Sequence, residues 1–182
     1  MPEKPGPAKG PNRLFQWRAM TAADLDRVAA IAAAVHPAFP EDAAVFAERL
    51  GLYPAGCLML DGDGGSAAYC LSHPWRAGDP PALNMRLGAL PAQPSTYYIH
   101  DIALMPQARG RGVAAAVVAQ LVTLARAERL PTLSLVAVNG SGGFWRRHGF
   151  RAVADATLTA RLASYDATAT YMERRLTRKF HP

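Results

Sequence analysis

Glycine and arginine alternate in one short stretch, Arg109-Gly110-Arg111-Gly112, and this pattern suits the binding of a phosphate group. The glycines remove side chains that would keep an anion from the backbone amides, and the arginines add positive charge beside them. An alanine-rich segment with helical spacing begins at Val113, and the first amides of a helix attract anions because they have no intrahelical partner. The sequence therefore predicts an anion site at this turn, with an ordinary glycine-containing loop as the competing interpretation.

Two adjacent residues, His100 and Asp101, are candidates for moving a proton. They lie within residues 97–104, whose aromatic and β-branched composition predicts a strand that ends before Pro106. Because neighbouring strand residues point to opposite faces, the two side chains are not expected to reach one site together. A neutral imidazole with a pKa of about 6.5 suits proton transfer at neutral pH, so His100 is the favoured base and Asp101 the alternate. A buried histidine satisfied by a backbone carbonyl is the competing interpretation.

The order of these features resembles the acetyl-CoA signature of the GNAT N-acetyltransferases. A predicted strand ending at Ala103-Leu104 is followed by Gln107-x-x-Gly-x-Gly112 and then by the alanine-rich helix. Residues 139–150 resemble the second signature of that family, in which an asparagine after the fifth strand precedes a short helix, an aromatic pair and Gly-Phe. The resemblance extends from about residue 14 to about residue 176.

The resemblance implies that acetyl-CoA is the co-substrate and that no metal is needed. In the family, the glycine turn and helix amides hold the pyrophosphate, the preceding strand end pairs with pantetheine, and a backbone amide there stabilises the oxyanion. By resemblance, the amide of Leu104 would stabilise the oxyanion. His100 occupies the place of a catalytic histidine in the arylalkylamine acetyltransferase branch. The implied cofactor-binding residues are Ile102, Ala103, Leu104, Gln107, Arg109, Gly110, Arg111, Gly112, Val113, Ala114, Asn139, Phe144 and Trp145.

One aromatic position departs from the family pattern. Many members carry a tyrosine four residues before Gly-Phe, where its hydroxyl can protonate the departing thiolate, whereas this chain has Trp145. An indole N–H donates a hydrogen bond but has no accessible acid chemistry. The thiolate would leave directly or with the help of a residue such as Ser141. An acyl-CoA-binding sensor without turnover therefore remains an alternative to an N-acetyltransferase.

Candidate acceptor-site residues are aromatic or histidine side chains near the central strand. In the family the first two helices overhang the acceptor pocket, which also brings in His36 and Phe46. Core packing is the competing role for the aromatic members. The main candidates are Phe39, His73, Trp75, Tyr97 and Tyr98. The acceptor itself is expected to be a small-molecule or peptide amine, and O-acetylation or a longer acyl donor stays open.

The predicted fold class is α/β (α+β), a GNAT fold with about four helices on a mixed, mostly antiparallel sheet of six or seven strands. A strand, the central helix and an apolar strand at 132–138 form a βαβ unit, which implies two parallel neighbours with a right-handed crossover. The other predicted elements are strands at 14–19, 56–60 and 66–72, helices at 25–35 and 41–50, and a closing hairpin at 151–154 and 168–176.

The 182 residues are 50% hydrophobic, which predicts one domain at 13–178 after a disordered proline- and glycine-rich tail at 1–12. No apolar run reaches the length of a membrane span, and the N-terminus lacks the apolar core of a signal peptide. The two cysteines show no metal spacing, which favours a reduced cytoplasm. The net charge of +6 is scattered, so nucleic acid is not an expected partner, while a homodimer is possible because dimers are common in the family.

Overall fold

The computed structural model describes residues 15–176, apart from the side chain of Thr159. The tail predicted at 1–12 and both ends of the predicted domain lie outside the described residues. The strands and helices follow in the order β1 (Gln16–Ala19), α1 (Leu25–Val35), α2 (Ala43–Leu52), β2 (Cys57–Gly62), β3 (Gly65–Trp75), β4 (Thr96–Leu104), α3 (Val113–Ala127), β5 (Thr132–Ala137), α4 (Gly142–Arg147), β6 (Arg151–Ala152), α5 (Ala156–Arg161) and β7 (Thr170–Arg175). Within the described residues, none of these helices is long and apolar enough to cross a membrane.

The seven strands form one sheet in the order β1-β2-β3-β4-β5-β7-β6. The pair β4 and β5 is parallel, with α3 as its crossover, and the other paired strands are antiparallel. The predicted mixed sheet with a central βαβ unit is confirmed. The closing strands β6 and β7 also pair as predicted, although α5 and a further turn separate them in the chain.

Strand β3 is longer than the sequence pattern predicts. The glycine-rich turn after Gly62 starts it as expected, but pairing with β4 continues to Trp75, so the predicted end at Ser72 is wrong. His73 lies opposite Tyr98, and Trp75 lies opposite Thr96. The reason is that the long neighbouring strand supplies partners as far as this point, which overrides the turn tendency of the proline between them.

Hydrophobic clusters cover both faces of the sheet. One cluster packs α3 against β4 and β5 and includes Leu121 and Leu135, while another packs α1 and α2 against β2 and β3 and includes Ile31 and Tyr69. Phe46, a candidate pocket residue, belongs to the second cluster, where its ring centroid lies 6.2 Å from that of Tyr69. Its role is core packing.

Both cysteines are free and buried on neighbouring strands. Cys57 begins β2, and Cys70 lies on β3 opposite Leu58. Burial raises the pKa of the Cys57 thiol to about 12.

Candidate active site

The candidate active site lies where the two parallel strands separate. β4 pairs with β5 only between Tyr97–Ile99 and Leu133–Leu135. Beyond that point β4 stays paired to β3 as far as Leu104, while β5 stays paired to β7 as far as Ala137. The two strands therefore diverge, and a cavity of about 380 Å³ opens in the gap between them.

One end of the cavity meets the glycine turn before α3. Gly110 and Gly112 have φ angles of 70° and 75°, in the left-handed region that favours glycine. Gly112 is the N-cap of α3, and none of the described side chains caps this helix, so its first amides have no protein partner. Arg109 lines the cavity, and its Nε donates to the carbonyl of Leu104 over 3.1 Å. The turn thus combines free amides with positive charge.

The amide of Leu104 points into the gap. The next amide, that of Met105, donates to the carbonyl of Ala67 on the β3 side over 2.9 Å. Successive amides of a strand point to opposite edges, so the Leu104 N–H is directed away from β3 and toward the divergence from β5. A hydrogen-bond donor is therefore available at the end of β4.

A β-bulge brings two adjacent residues to the same cavity. Leu71 lies opposite Asp101, but the next residue of β3, Ser72, lies opposite Ile99, so His100 is the extra residue of β4. A bulge interrupts the alternation of side chains along a strand. His100 and Asp101 both line the cavity, and the expectation that they could not reach one site together is wrong for this reason.

Each of these two residues is paired with a residue from the connection between α1 and α2. His100 Nε2 lies 3.0 Å from Oε2 of Glu41, and His36 Nε2 lies 3.1 Å from Oδ1 of Asp101. The hydroxyl of Tyr69 donates to the other oxygen of Asp101. The site therefore contains two histidine–carboxylate pairs, each formed by β4 and the segment between the first two helices.

The pairs keep both carboxylates ionised. Burial raises the pKa of Asp101, but its contacts with His36 and Tyr69 outweigh burial and hold the pKa below its ordinary value. Burial also raises the pKa of Glu41, but the contact with His100 outweighs burial, so the pKa of Glu41 is lowered as well. Burial lowers the pKa of His36, yet the Asp101 carboxylate raises it by more. Two negative charges therefore face two imidazoles at neutral pH.

The far wall of the cavity comes from the end of β5 and from α4. Asn139 follows β5 with a φ of 52°, a left-handed conformation that asparagine tolerates. Phe144 and Trp145 project from α4, with ring centroids 4.9 Å apart, and Ser141 lies just before them. Among residues 15–176, no group of three or more histidine, cysteine or acidic side chains could hold a metal ion.

Most of the residues assigned to cofactor and catalysis from the sequence border the cavity, together with one acceptor candidate. Ala103 and Val113 are buried in hydrophobic clusters, so only their backbones are available. Gln107, Arg111 and Gly112 lie on the exposed turn beside the cavity. The predicted residues that line it are Phe39, His100, Asp101, Ile102, Leu104, Arg109, Gly110, Ala114, Asn139, Phe144 and Trp145.

The other four acceptor candidates lie in the core, outside the cavity lining. His73, Tyr97 and Tyr98 are at most 1% exposed, and Trp75 is 5% exposed. The His73 ring lies 5.5 Å from Trp75 and 5.7 Å from Tyr98, and burial lowers its pKa to about 3. Tyr97 meets the Ser72 hydroxyl at 3.0 Å. Their contacts are those of packing residues.

Glu41, Leu83 and Tyr165 are among the lining residues that the sequence analysis did not single out. Glu41 follows the first helix, Leu83 lies in the long connection before β4, and Tyr165 follows α5. Glu41 contacts a residue 59 positions away, and no local pattern marks such a pairing. The proximity of Glu41 to His36 and Phe39, which were considered, is the one signal that could have found it.

Comparison with known proteins agrees with this geometry. The model of the acetyltransferase (GNAT) family matches residues 23–150. Comparison with curated proteins finds no match. Among solved structures, the ribosomal-protein-S18-alanine N-acetyltransferase from Escherichia coli is similar, with a TM-score of 0.61 at 17% identity, over 93% of this chain and 100% of that chain.

Two further solved structures show the same fold in proteins with other activities. N-acetylglutamate synthase from Neisseria gonorrhoeae, complexed with coenzyme A and N-acetyl-glutamate, has a TM-score of 0.68 at 16% identity, over 91% of this chain and 36% of that chain. The GNAT-like decarboxylase GphF, in complex with isobutyryl-CoA, has a TM-score of 0.73 at 16% identity, over 89% of this chain and 100% of that chain. Since the family model covers well over half of the sequence, the chain belongs to the GNAT acetyltransferase family.

Proposed function

We propose that this protein transfers an acetyl group from acetyl-CoA to a primary amine, by direct attack in a ternary complex. The observation that carries the proposal is the continuous cavity between β4 and β5. It runs from the free amides at the start of α3 to the two histidine–carboxylate pairs. Structural neighbours crystallised with coenzyme A or isobutyryl-CoA support a CoA thioester as the donor.

The donor would lie along the gap. Its pyrophosphate would accept hydrogen bonds from the turn and helix amides between Arg109 and Ala114, where the helix dipole favours an anion. The pantetheine arm would pair with the free edge of β4 at Ile102 and Leu104, and with Asn139 across the gap. The thioester would then reach the bulge in β4, with Trp145 packed beside the sulfur.

The reaction requires a proton acceptor and an oxyanion donor. The amine nitrogen attacks the thioester carbonyl carbon, and the amide of Leu104 stabilises the negative charge that develops on the carbonyl oxygen. The nitrogen gives a proton to His100, directly or through water, with Asp101 as the alternate base. The carbon–sulfur bond then breaks, and CoA leaves as a thiolate. Because Trp145 cannot supply a proton, the thiolate is protonated by solvent or with the help of Ser141.

The second candidate is a sensor that binds acyl-CoA without turnover. Trp145 is the feature that favours it, since the family's usual acid is missing. The paired histidines oppose it, because a binding module has no need of two buried imidazoles held against carboxylates.

The decisive experiment measures free thiol released from acetyl-CoA with pools of amines and amine-bearing peptides. Release with one pool supports the transferase. Calorimetric binding of acetyl-CoA, without release in any pool, supports the sensor. Absence of both would contradict the CoA assignment.

Variants of the candidate bases refine this result. We expect His100→Ala to lower kcat by about 10²-fold or more, the usual contribution of a positioned base, without changing the dissociation constant of acetyl-CoA. Its pH–rate profile should lose the inflection of the base. If His100→Ala kept the wild-type profile while Asp101→Asn lost it, Asp101 would be the base.

A further inference from the structure

Three chain segments outside the sheet cover part of the cavity. The connection between α1 and α2 contributes His36, Phe39 and Glu41, the long connection before β4 contributes Leu83, and the segment after α5 contributes Tyr165. These five residues, with His100 and Asp101 beneath them, form what we call the acceptor chamber.

Direct hydrogen bonds tie the three segments to one another. They join the first segment to the second, and the second to the third, so the cover of the chamber is a single bonded unit. The bonds are Asn84 N to Glu41 Oε1 at 3.1 Å, Asp42 N to Asn84 Oδ1 at 2.7 Å, Leu83 N to Ser164 Oγ at 2.9 Å and Tyr165 Oη to the Pro81 carbonyl at 3.0 Å. A chamber covered in this way suits a compact acceptor, because a peptide chain extending outward would have to break these bonds.

The upper part of the chamber is apolar. The rings of Phe39 and Tyr165 lie 6.5 Å apart, centroid to centroid, at an angle of 42°. Leu83 lines the cavity with them. Two tilted aromatic rings and a leucine form a surface that binds hydrocarbon or an aromatic ring by burial of apolar area.

The lower part of the chamber accepts hydrogen bonds and carries negative charge. The side chains of His100 and Glu41 are 3% and 7% exposed, respectively. With Nε2 of His100 turned to Glu41, a neutral imidazole there carries its proton on Nε2 and leaves Nδ1 as an acceptor. Nδ1 of His100 and both ring nitrogens of His36 are buried and make no hydrogen bond among the described residues, although Nε2 of His36 lies 3.1 Å from Oδ1 of Asp101. An ammonium group, which has three donors and a positive charge, matches these acceptors and carboxylates.

A carboxylate on the acceptor would not be paired with a positive charge in the chamber. Arg109 is the one basic residue other than histidine among the described residues that line the cavity, and its Nε is bound to the Leu104 carbonyl at the end of β4. Arg49 lies outside the lining, where it pairs with Glu48 and donates to the Met85 carbonyl. An acceptor carboxylate would therefore lie unpaired beside two like charges, which is strongly unfavourable in a buried site.

Building on the proposed acetyl transfer, we infer that the acceptor is a small primary amine that enters as an ammonium ion, with one compact apolar body and no carboxylate. The ammonium group lies against the two histidine–carboxylate pairs, where it gives one proton through His100 to solvent before the free amine attacks. The apolar body lies between Phe39, Leu83 and Tyr165. Free amino acids and peptide N-termini are then poor acceptors, the first because of charge and the second because of length.

The test compares four probes that share one body: 2-phenylethylamine, L-phenylalanine, L-phenylalaninamide and the tripeptide Phe-Gly-Gly. Binding of each probe to the full-length protein saturated with CoA is measured by calorimetry, so that no turnover occurs. We expect 2-phenylethylamine to bind at least about tenfold more tightly than L-phenylalanine. L-Phenylalaninamide should bind with intermediate affinity, because a neutral amide group replaces the charged carboxylate of L-phenylalanine. Equal binding of the amine and the amino acid, tighter binding of the tripeptide, or no binding of the amine would overturn the inference.

Turnover with acetyl-CoA separates this inference from the transfer on which it depends. If 2-phenylethylamine binds preferentially but no probe releases CoA, the acceptor class stands and the proposed transfer fails. If L-phenylalanine or the tripeptide is the preferred substrate, the transfer stands and the acceptor class is wrong.

Two substitutions test the charge directly. Asp101→Asn should weaken binding of 2-phenylethylamine by about tenfold while acetyl-CoA still binds, and Asp63→Asn, in the exposed β2–β3 turn, should change neither affinity. Leu83→Arg adds the missing cation to the chamber and should narrow the preference for 2-phenylethylamine over L-phenylalanine. Unchanged affinity for 2-phenylethylamine in Asp101→Asn, or an unchanged preference in Leu83→Arg, would contradict the proposed recognition.

Discussion

At the scale of single residues, the proposed phosphate site depends on the conformation of the glycine turn. Gly110 and Gly112 hold left-handed φ angles, and open space surrounds the position that a Cβ would occupy at each. A side chain there would not collide with the protein; it would instead project beside the free amides of α3. The identity of that side chain therefore matters more for the incoming phosphate than for packing.

Gly112→Glu should abolish acetyl-CoA binding, because its carboxylate would occupy and repel the phosphate position. We expect the dissociation constant to rise by at least about 100-fold, as measured by calorimetry. Gly65→Glu is the matched control, since Gly65 has a φ of 93°, also with open space around it, in the β2–β3 turn. Both variants carry similar backbone strain, so only Gly112→Glu should lose binding. Wild-type affinity in Gly112→Glu would refute the phosphate assignment.

Residue identity alone recovers only part of the candidate site. The glycine turn could be predicted because local spacing marks a strand end followed by a helix, and Asn139 because residues 139–150 resemble a family signature. The partners of the two histidines could not, since Glu41 and His100 meet only after the sheet and the first two helices have packed. Tyr97 and Tyr98 mislead for a related reason: an aromatic pair in a strand does not reveal which surfaces of the sheet remain open.

At the scale of elements, the bulge in β4 determines which side chains can act together. The strand pattern predicts the extent of β4 closely, yet it implies strict alternation between His100 and Asp101. The register shift opposite Leu71 and Ser72 breaks that alternation. Periodicity in a sequence reports regular pairing, so an inserted residue that re-aims a side chain escapes it.

Two side chains of α2 hold the long connection before β4: Arg49, which donates to the Met85 carbonyl, and Glu48. Glu48, 8% exposed, accepts from the amides of Leu87 and Gly88 at 2.7 and 3.1 Å, and it also pairs with the buried guanidinium of Arg49. This anchoring fixes the connection that carries Leu83 over the acceptor chamber.

Removing that anchor should be costly. We expect Glu48→Ala to lower the free energy of unfolding by about 3 kcal/mol, because it leaves Arg49 buried without its partner. Glu128→Ala, which removes only an acceptor for the exposed Tyr53 hydroxyl, should cost far less. Chemical denaturation measures both, and equal losses would show that the anchor is not specific.

The loss of unfolding free energy in Glu48→Ala should depend on pH. Burial raises the pKa of Glu48, but its bonds to the two backbone amides and to arginine outweigh burial and lower it below its ordinary value. A depressed pKa contributes stability above the unfolded value of about 4.3 and loses it as the pH falls through the folded value. The difference between wild type and Glu48→Ala should therefore shrink below about pH 4.

At the scale of the whole molecule, the sheet consists of two parts joined by a short parallel seam. Strands β1 to β4 form one part and strands β5, β7 and β6 form the other, and the seam runs only from Tyr97 to Ile99 on β4. Under the proposed function, the donor's pantetheine arm would occupy the gap between β4 and β5. It would bridge the two parts of the sheet where β4 and β5 no longer pair.

Binding of CoA should consequently stabilise both edges of the gap. Hydrogen exchange should slow at Ile102, Leu104 and the residues that end β5, and the free energy of unfolding should rise by about 2.7 kcal/mol at a CoA concentration 100 times the dissociation constant. Gly112→Glu should show neither change. Protection confined to the glycine turn would contradict the placement of the pantetheine arm.

Because Cys57 and Cys70 are both buried, we expect the folded protein not to react with thiol-reactive dyes. A thiolate is the reactive form, and the raised pKa of Cys57 leaves almost none of it at neutral pH. A dye present during an assay would thus report each CoA as it is released, and would react with protein sulfur only after the sheet opens. One absorbance trace would therefore distinguish a variant that has lost its chemistry from a variant that has lost its fold.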